Sequence, residues 1–124
     1  MRNSLNQPSQ RQLRVGEQIK HVIAEMLARG EFQDAGLIEH SATITVTEVR
    51  VTPDLKLANA YIVGQDVAQF LPALNAIAHV FQKEINKQTQ LKFTPKVSFR
   101  VDDTFDKALR LDSIINNLKY SDQE

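Results

Sequence analysis

Residues 41–64 read SATITVTEVRVTPDLKLANAYIVG and decide the fold class. In the first half of this stretch, apolar residues alternate with threonines. The apolar residues are Ala42, Ile44 and Val46. Alternation with many β-branched side chains predicts a half-buried β-strand over residues 42–51. The apolar phase then moves to Val49 and Val51, so we expect a bulge or the end of the strand there.

A second strand is predicted after a short polar link. Thr52-Pro53-Asp54 has turn chemistry, because proline fixes φ and the aspartate side chain can bond the nearby backbone. Residues 57–63 then alternate again and are closed by Gly64. The two strands predict a β-hairpin. The small side chains of Ala58 and Ala60 would let a helix lie close to its sheet.

A helical period precedes the hairpin. Over residues 11–29, apolar residues recur at spacings of three and four. They are Val15, Ile19, Val22, Ile23, Met26 and Leu27. This pattern predicts an amphipathic helix that Gly30 ends in a left-handed conformation. Residues 1–10 are polar and predict a flexible tail, and residues 31–40 predict a loop.

The helical period returns over residues 66–88. Pro72 requires the regular helix to begin near Phe70, because a proline is tolerated in the first turn, where amide donors have no intrahelical partner. Residues 91–101 alternate again and predict a third strand, with Phe93 on its apolar side.

A last amphipathic helix is predicted after the capping cluster Asp102-Asp103-Thr104. Its apolar residues are Ala108, Leu111, Ile115 and Leu118. We therefore expect a single α+β domain over residues 11–118, followed by a short tail at 119–124. Its three-stranded sheet would be covered by helices on one face.

The composition is that of an ordinary globular domain. Of 124 residues, 42% are hydrophobic and 24% are charged. The chain has no cysteine, which excludes disulfides and thiolate metal sites. No apolar run approaches the roughly 20 residues that span a bilayer. The N-terminal residues also lack the apolar segment of a secretory signal. We expect a cytoplasmic protein with no membrane contact.

The zero net charge conceals four blocks of alternating sign. Residues 1–30 sum to +3, residues 31–74 to −4, residues 75–101 to +4 and residues 102–124 to −3. If the fold places the two basic blocks on one side, the neutral protein has a basic face that could meet a nucleic acid.

Catalytic and metal-binding patterns are absent from the sequence. The four glycines never form a phosphate-binding loop. The three histidines lie on different predicted elements, without metal-ligand spacing. They are His21, His40 and His79. Asp102, Asp103 and Asp106 fit helix capping better than a divalent-metal site. We expect no catalysis, no cofactor and no metal.

A basic segment over residues 83–100 is the strongest binding signal. It has five basic residues and one acid, Glu84. The basic residues are Lys83, Lys87, Lys92, Lys96 and Arg100. The first two are four apart and share a helix face, and the other three lie at even separations along the predicted strand. We predict phosphate contacts by all five, with Arg11 and Arg14 contributing from the first helix. The alternative is a solvated face without a partner.

The order helix–strand–strand–helix–helix–strand is that of the type II KH fold, an RNA-binding architecture. Residues 93–115, FTPKVSFRVDDTFDKALRLDSII, resemble the ribosome-binding factor A family, as do residues 11–30 and 46–64. The most specific shared residues are Pro95, Phe99, Asp102, Thr104 and Phe105, followed by Arg110-Leu111-Asp112. The resemblance spans roughly residues 9–118.

The resemblance implies a non-catalytic assembly factor that binds free 30S ribosomal subunits. Such a factor supports late subunit maturation and 16S rRNA processing, matters most in the cold, and contacts the 5′-terminal helix region of 16S rRNA. It further implies a monomer whose release is helped by an assembly GTPase. A second hypothesis is a protein-interaction adaptor with the same fold and no direct RNA contact. Only RNA binding should fall steeply with salt, because it releases counterions.

The resemblance also implies an interhelical kink, often at a small-x-Gly triplet. In register, that triplet here is Ile77-Ala78-His79. A histidine favours fewer backbone conformations than a glycine, and the apolar period runs through the site. We therefore expect a shallow bend, with residues 78–80 close to helical and His79 pointing away from the core.

Overall fold

The computed structural model describes residues 7–104. Its helices and strands are α1 (Gln10–Arg29), α2 (Ala35–His40), β1 (Thr45–Val51), β2 (Leu57–Val63), α3 (Leu71–Ala76), α4 (Ala78–Gln88) and β3 (Lys96–Val101). Short 3-10 turns lie at Ser41–Thr43 and Val67–Phe70. The predicted last helix after Thr104 and the tail at 119–124 lie outside the described residues, as do residues 1–6.

The three strands form one mixed sheet in the order β1-β2-β3. β1 and β2 pair antiparallel, as the predicted hairpin requires, and β3 pairs with β2 in parallel. The pairing register shifts between Val46 and Glu48, which confirms the predicted bulge. The turn is also confirmed, because the Lys56 amide donates to the Asp54 carboxylate at 3.1 Å. The order of elements and the sheet are those of an α+β, type II KH-like fold.

α1 is a single uninterrupted helix with a cap at each end. Ser9 and Gln12 form a reciprocal capping box, so the helix begins at Gln10. Gly30 ends it at φ 67°, in the predicted left-handed conformation. α1 lies very close to β1, since a Cβ atom at Gly16 would stand only 2.6 Å from the Val49 carbonyl oxygen.

One face of the sheet is buried beneath the helices. Ala58, Ala60 and Ile62 of β2 are fully buried, and the residues between them are half-exposed. Phe81 of α4 packs at the centre of the core. Its ring centroid is 4.9 Å from that of Phe99 and 5.5 Å from that of Phe32. The opposite face of the sheet carries mostly polar and charged side chains, with the exposed Leu57 among them.

The segment predicted as one helix over 66–88 has three parts. A 3-10 turn leads into α3, and Pro72 lies in the first turn of α3, as predicted. The helix is interrupted at Ile77, whose φ and ψ are −108° and 21°. Residues 78–80 are helical, and His79 is exposed. The interruption is therefore one residue long.

Two predicted strands were too long, for the same physical reason. β1 begins at Thr45 rather than at residue 42, and β3 begins at Lys96 rather than at residue 91. Thr45 pairs with Val63 at the end of β2, and Lys96 pairs with Leu57 at its beginning. Alternating residues beyond these points have no strand to pair with. Phe93, predicted on the buried side, is therefore in a loop and is 76% exposed.

The loop predicted over residues 31–40 was also partly wrong. It contains the six-residue helix α2, which Asp34 caps by accepting a hydrogen bond from the Leu37 amide at 3.1 Å. Leu37 is its fully buried residue. A helix this short presents too few apolar positions to show a helical period in the sequence.

Candidate nucleic-acid interface

Two amide side chains bind the interrupted helix to the free edge of β3. The Phe99 amide donates to Asn75 Oδ1 at 2.7 Å, and Asn75 Nδ2 donates to the Phe99 carbonyl at 3.2 Å. The Val97 amide donates to Gln82 Oε1 at 3.1 Å. An edge strand otherwise presents unpaired backbone groups, so Asn75 and Gln82 act in place of a neighbouring strand.

A groove of about 630 Å³ lies where this helix meets the polar face of the sheet. The helix contributes Asn75, Ala78, His79 and Gln82. The strands contribute Leu57, Asn59, Lys96, Val97, Ser98 and Arg100. None of these described residues is acidic. Beside the apolar side chains of Leu57, Ala78 and Val97, the groove presents two cations and three amide groups, which suit an anionic ligand.

Arg100 is the best-positioned cation of the groove. Its Nε donates to Asn59 Oδ1 on the neighbouring strand at 3.1 Å, which holds the guanidinium along the sheet. Lys96 and Arg100 are both exposed and lie four residues apart on β3, so they occupy the same face. These two residues therefore share one face of the strand, as their even separation predicts.

None of the other predicted cations lines the groove. Lys83 is one helical turn beyond His79, so the two are neighbours on the surface of α4. Lys87 is exposed, 3.9 Å from Glu84. Lys92 precedes β3, so the predicted strand geometry does not apply to it. Arg11 and Arg14 are exposed on α1 and flank Gln12, which bonds Val51 of β1, so they lie toward the opposite edge of the sheet from β3.

A second charged cluster lies toward the other edge of the polar sheet face. Arg50 Nε donates to the Glu48 carboxylate at 2.8 Å, and this hydrogen bond raises the pKa of Arg50. The Arg50 guanidinium lies 5.6 Å from the Tyr61 ring centroid. Because Glu48 neutralises the charge of Arg50, this cluster should attract an anionic ligand more weakly than Lys96 and Arg100 do.

The end of β3 is fixed by Asp102. Its carboxylate accepts from Thr47 Oγ1 at 2.5 Å and from the Thr104 amide at 3.0 Å. These two bonds, the Thr47 bond first, lower the pKa of Asp102. The side chain thus connects β1 to the residue where the predicted last helix begins. Its role is structural, in agreement with capping.

Two classes of site have no support in the described part of the chain. Residues 7–104 contain no group of three or more histidine or acidic side chains able to hold a metal ion. Within the same residues, no helix is long and apolar enough to cross a membrane.

Comparison with known proteins decides the family. The family model described as ribosome-binding factor A matches residues 11–115. The ribosome-binding factor A of Methylobacterium sp. (strain 4-46) is 48% identical over 115 residues, covering 90% of this chain and 81% of that protein. The chain belongs to the ribosome-binding factor A family.

Solved structures of the family share the fold at low sequence identity. The crystal structure of ribosome-binding factor A from Thermus thermophilus aligns with a TM-score of 0.59 and 19% identity, covering 73% of this chain and 94% of that one. A homology model of the Thermus thermophilus factor, fitted into a cryo-EM map of its 30S complex, aligns with a TM-score of 0.53 and 18% identity, covering 70% of this chain and 90% of that one.

In this family member, the predicted kink triplet borders the groove. Ile77 is the interruption itself, while Ala78 and His79 lie in the first turn of α4 and line the groove. The Ile77 amide still bonds the Ala73 carbonyl at 3.2 Å. The backbone therefore departs from helical geometry at Ile77 without losing this hydrogen bond.

Sequence reasoning missed the amides that build the groove. Asn75, His79, Gln82 and Asn86 recur at spacings of four, three and four. This polar stripe runs beside the apolar one, and it is the sequence pattern that could have indicated these side chains. It could have indicated a second contact of the helix, although not that the contact is the edge of β3.

Proposed function

We propose that this protein binds the small (30S) ribosomal subunit through its RNA, as a non-catalytic factor in late subunit maturation and 16S rRNA processing. Family membership supports the ribosomal role, and the Thermus thermophilus relative that was fitted into the map of a 30S complex has the same fold. The observation on this chain that carries the proposal is the groove. It is lined by Lys96 and Arg100 and by no acid.

The groove has the chemistry of a phosphate-backbone site. A guanidinium presents several N–H donors in a plane and suits a phosphate, whereas an ammonium acts as a point charge. Asn59 occupies the Nε donor of Arg100, and the outer edge of the guanidinium is left for phosphate oxygens. Contacts of this kind position a protein on RNA without reading its sequence.

We extend this interface from the groove to its surroundings. Lys83, Lys87 and Lys92 would follow the RNA backbone beyond the groove, and Arg11 and Arg14 would meet it from α1. All five side chains are exposed.

The finer parts of the proposal rest on the family resemblance. They are contact near the 5′-terminal helix of 16S rRNA, release helped by an assembly GTPase, and action as a cytoplasmic monomer that matters most in the cold.

Gradient sedimentation of a cell extract tests the main proposal. The full chain should migrate with free 30S subunits and be absent from joined ribosomes. Migration only as a small free protein would refute the proposal. Binding to 30S subunits that does not weaken between low and high salt would favour the protein-interaction adaptor instead, because a complex held by phosphates must weaken.

Charge reversal locates the RNA contact. The Lys96→Glu/Arg100→Glu double variant should weaken 30S binding and flatten the dependence of log K on log salt by about one unit for each lost phosphate contact. Arg29→Glu is the matched control, because Arg29 is exposed at the end of α1 and does not line the groove. If both variants bind equally well, the groove is not the contact.

The outer lysines need a separate variant. A folded Lys83→Glu/Lys87→Glu/Lys92→Glu triple variant should weaken binding almost uniformly across RNA sequences. Unchanged affinity would assign these three side chains to solvation of the surface alone.

A further inference from the structure

Phe93 is a large apolar side chain that the fold holds in solvent. It is 76% exposed. The next residues fix the loop that carries it. Thr94 Oγ1 donates to Asn86 Oδ1 at 3.0 Å, Pro95 is fully buried, and the Lys96 amide donates to the Lys56 carbonyl at 2.8 Å. The loop is anchored at three successive positions, so the exposure of the ring is built into the structure.

One cation contacts the ring, and two more lie on the elements that flank its loop. Lys92 Nζ lies 5.7 Å from the Phe93 ring centroid, within the range of a cation–π contact. Lys87 is in the last turn of α4, and Lys96 opens β3 and lines the groove. Glu84 is the one acid in residues 83–100. Its carboxylate is engaged by Gln88 at 2.8 Å and by Lys87 at 3.9 Å.

We propose that Phe93 is a stacking platform for an unpaired RNA base beside the phosphate-binding groove. An exposed aromatic face among cations matches single-stranded nucleic acid, which offers planar bases on an anionic backbone. The base would take the place of the Lys92 ammonium on the ring, and Lys92 would then meet the adjoining phosphate. The inference rests on the proposed RNA contact and adds that the RNA there is single-stranded.

A protein partner fits this surface less well. Apolar docking surfaces are contiguous patches, whereas the chain neighbours of Phe93 are Lys92 and Thr94, which are polar. The charge balance of residues 75–101 is +4, which is complementary to phosphate. Single-stranded RNA is therefore the occupant that both the ring and the charges favour.

Tryptophan fluorescence reports stacking directly, because the chain contains no tryptophan. In the Phe93→Trp variant, a short oligoadenylate should quench the emission as a base stacks on the indole. Ile38→Trp is the matched control. Ile38 is also an exposed apolar residue, at 51%, and lies in the acidic block at 31–74. Its emission should not change. Binding measured by anisotropy of labelled oligoadenylate, without quenching of Phe93→Trp, would overturn the proposal.

Affinity measurements separate stacking from charge and from general apolar contact. Phe93→Ala should bind oligoadenylate about five- to tenfold more weakly, at the low end for one base–aromatic stack. The salt slope should stay unchanged, because no phosphate contact is lost. Phe93→Leu keeps an apolar side chain without an aromatic face and should bind as weakly as Phe93→Ala. Wild-type affinity in Phe93→Leu would overturn stacking in favour of apolar contact.

Failure of this inference is distinguishable from failure of the proposed function. A wild-type protein that binds purified 30S subunits but not oligoadenylate overturns the stacking proposal and leaves subunit binding intact. A wild-type protein that binds neither overturns both.

Discussion

α1 and the α3–α4 segment have the same kind of apolar period and different structures. α1 runs for 20 residues without a break and has a side-chain cap at its start and a glycine at its end. The α3–α4 segment is interrupted at Ile77, and neither α3 nor α4 has a side-chain cap at its start. Both segments bond a strand through polar side chains. Gln12 of α1 donates to the Val51 carbonyl at 2.9 Å near the start of its helix, whereas Asn75 and Gln82 bond β3 on either side of the interruption. A helix held to a strand at one position can stay regular, whereas a helix held at two positions must satisfy both.

The edge contact joins a helical segment and a strand whose residue spacings differ. Asn75 and Gln82 are seven residues apart, which is ~10.5 Å along an α-helix. Their partners, Phe99 and Val97, are two residues apart, which is ~6.6 Å along a strand. The difference must be absorbed by the side chains and by the backbone between them. Gln82 has a longer side chain than Asn75, and the helix is interrupted at Ile77, which lies between these two residues.

Proline should distinguish the two segments most strongly. Ala24→Pro places a proline on the exposed side of α1, far inside the helix, and should cost about 3 kcal/mol or more. Pro72→Ala is the reciprocal control. It should change the free energy of unfolding by under about 1 kcal/mol, because the proline is in the first turn of α3. Urea unfolding of both variants measures this, and equal losses would contradict the different roles of the two positions.

Removal of the Asn75 amide should have the next largest effect. Asn75→Ala leaves the edge amide and carbonyl of Phe99 without their partner, which should cost about 2 kcal/mol. Asn75→Asp can still accept from the Phe99 amide but cannot donate to the carbonyl, so it should lie between Ala and wild type at neutral pH. Thermal unfolding gives the order. An Asn75→Ala variant as stable as wild type would show that the two hydrogen bonds to Phe99 do not contribute to the free energy of unfolding.

The part of the fold that sequence predicts is the part fixed by local chemistry. Gly30 ends α1, Pro72 lies in a first turn, and the apolar phase shift marks the bulge after Val46. Each of these depends on one residue or on a short run. The sequence did not predict the exposure of Phe93 or the role of Asn75. Phe93 alternates like a strand residue where no partner strand exists, and Asn75 bonds a strand 24 residues away. Both depend on tertiary pairing that local alternation does not report.

Close packing of α1 should have a moderate effect. Gly16→Ala introduces a Cβ atom 2.6 Å from the Val49 carbonyl oxygen, and a backbone atom cannot easily move. The overpacking cost exceeds the gain of helix propensity, so we expect a net loss of about 1–2 kcal/mol. Gly36→Ala is the matched control in α2. There the nearest atom is Asp34 Oδ1 at 3.3 Å, the oxygen that caps α2, and a shift of a few tenths of an ångström relieves the contact, so we expect a smaller loss than at Gly16. A stabilised Gly16→Ala protein would mean that α1 can move away from β1 at little cost.

The smallest effect tests whether the segment after the break is as helical as α1. Glycine inside a helix costs about 0.5–1 kcal/mol, because it gains more backbone freedom on unfolding than other residues do. His79 is exposed in the first turn of α4 and lines the groove, so His79→Gly removes no core contact. If residues 78–80 are held in helical geometry, His79→Gly and Ala24→Gly in α1 should both lose stability in thermal unfolding, and His79→Gly should lose less than Ala24→Gly because histidine is a poorer helix former than alanine. If the chain bends there as a glycine would allow, His79→Gly should lose nothing while Ala24→Gly still loses its share. That result would move the bend from Ile77 toward His79 and would contradict a break confined to one residue.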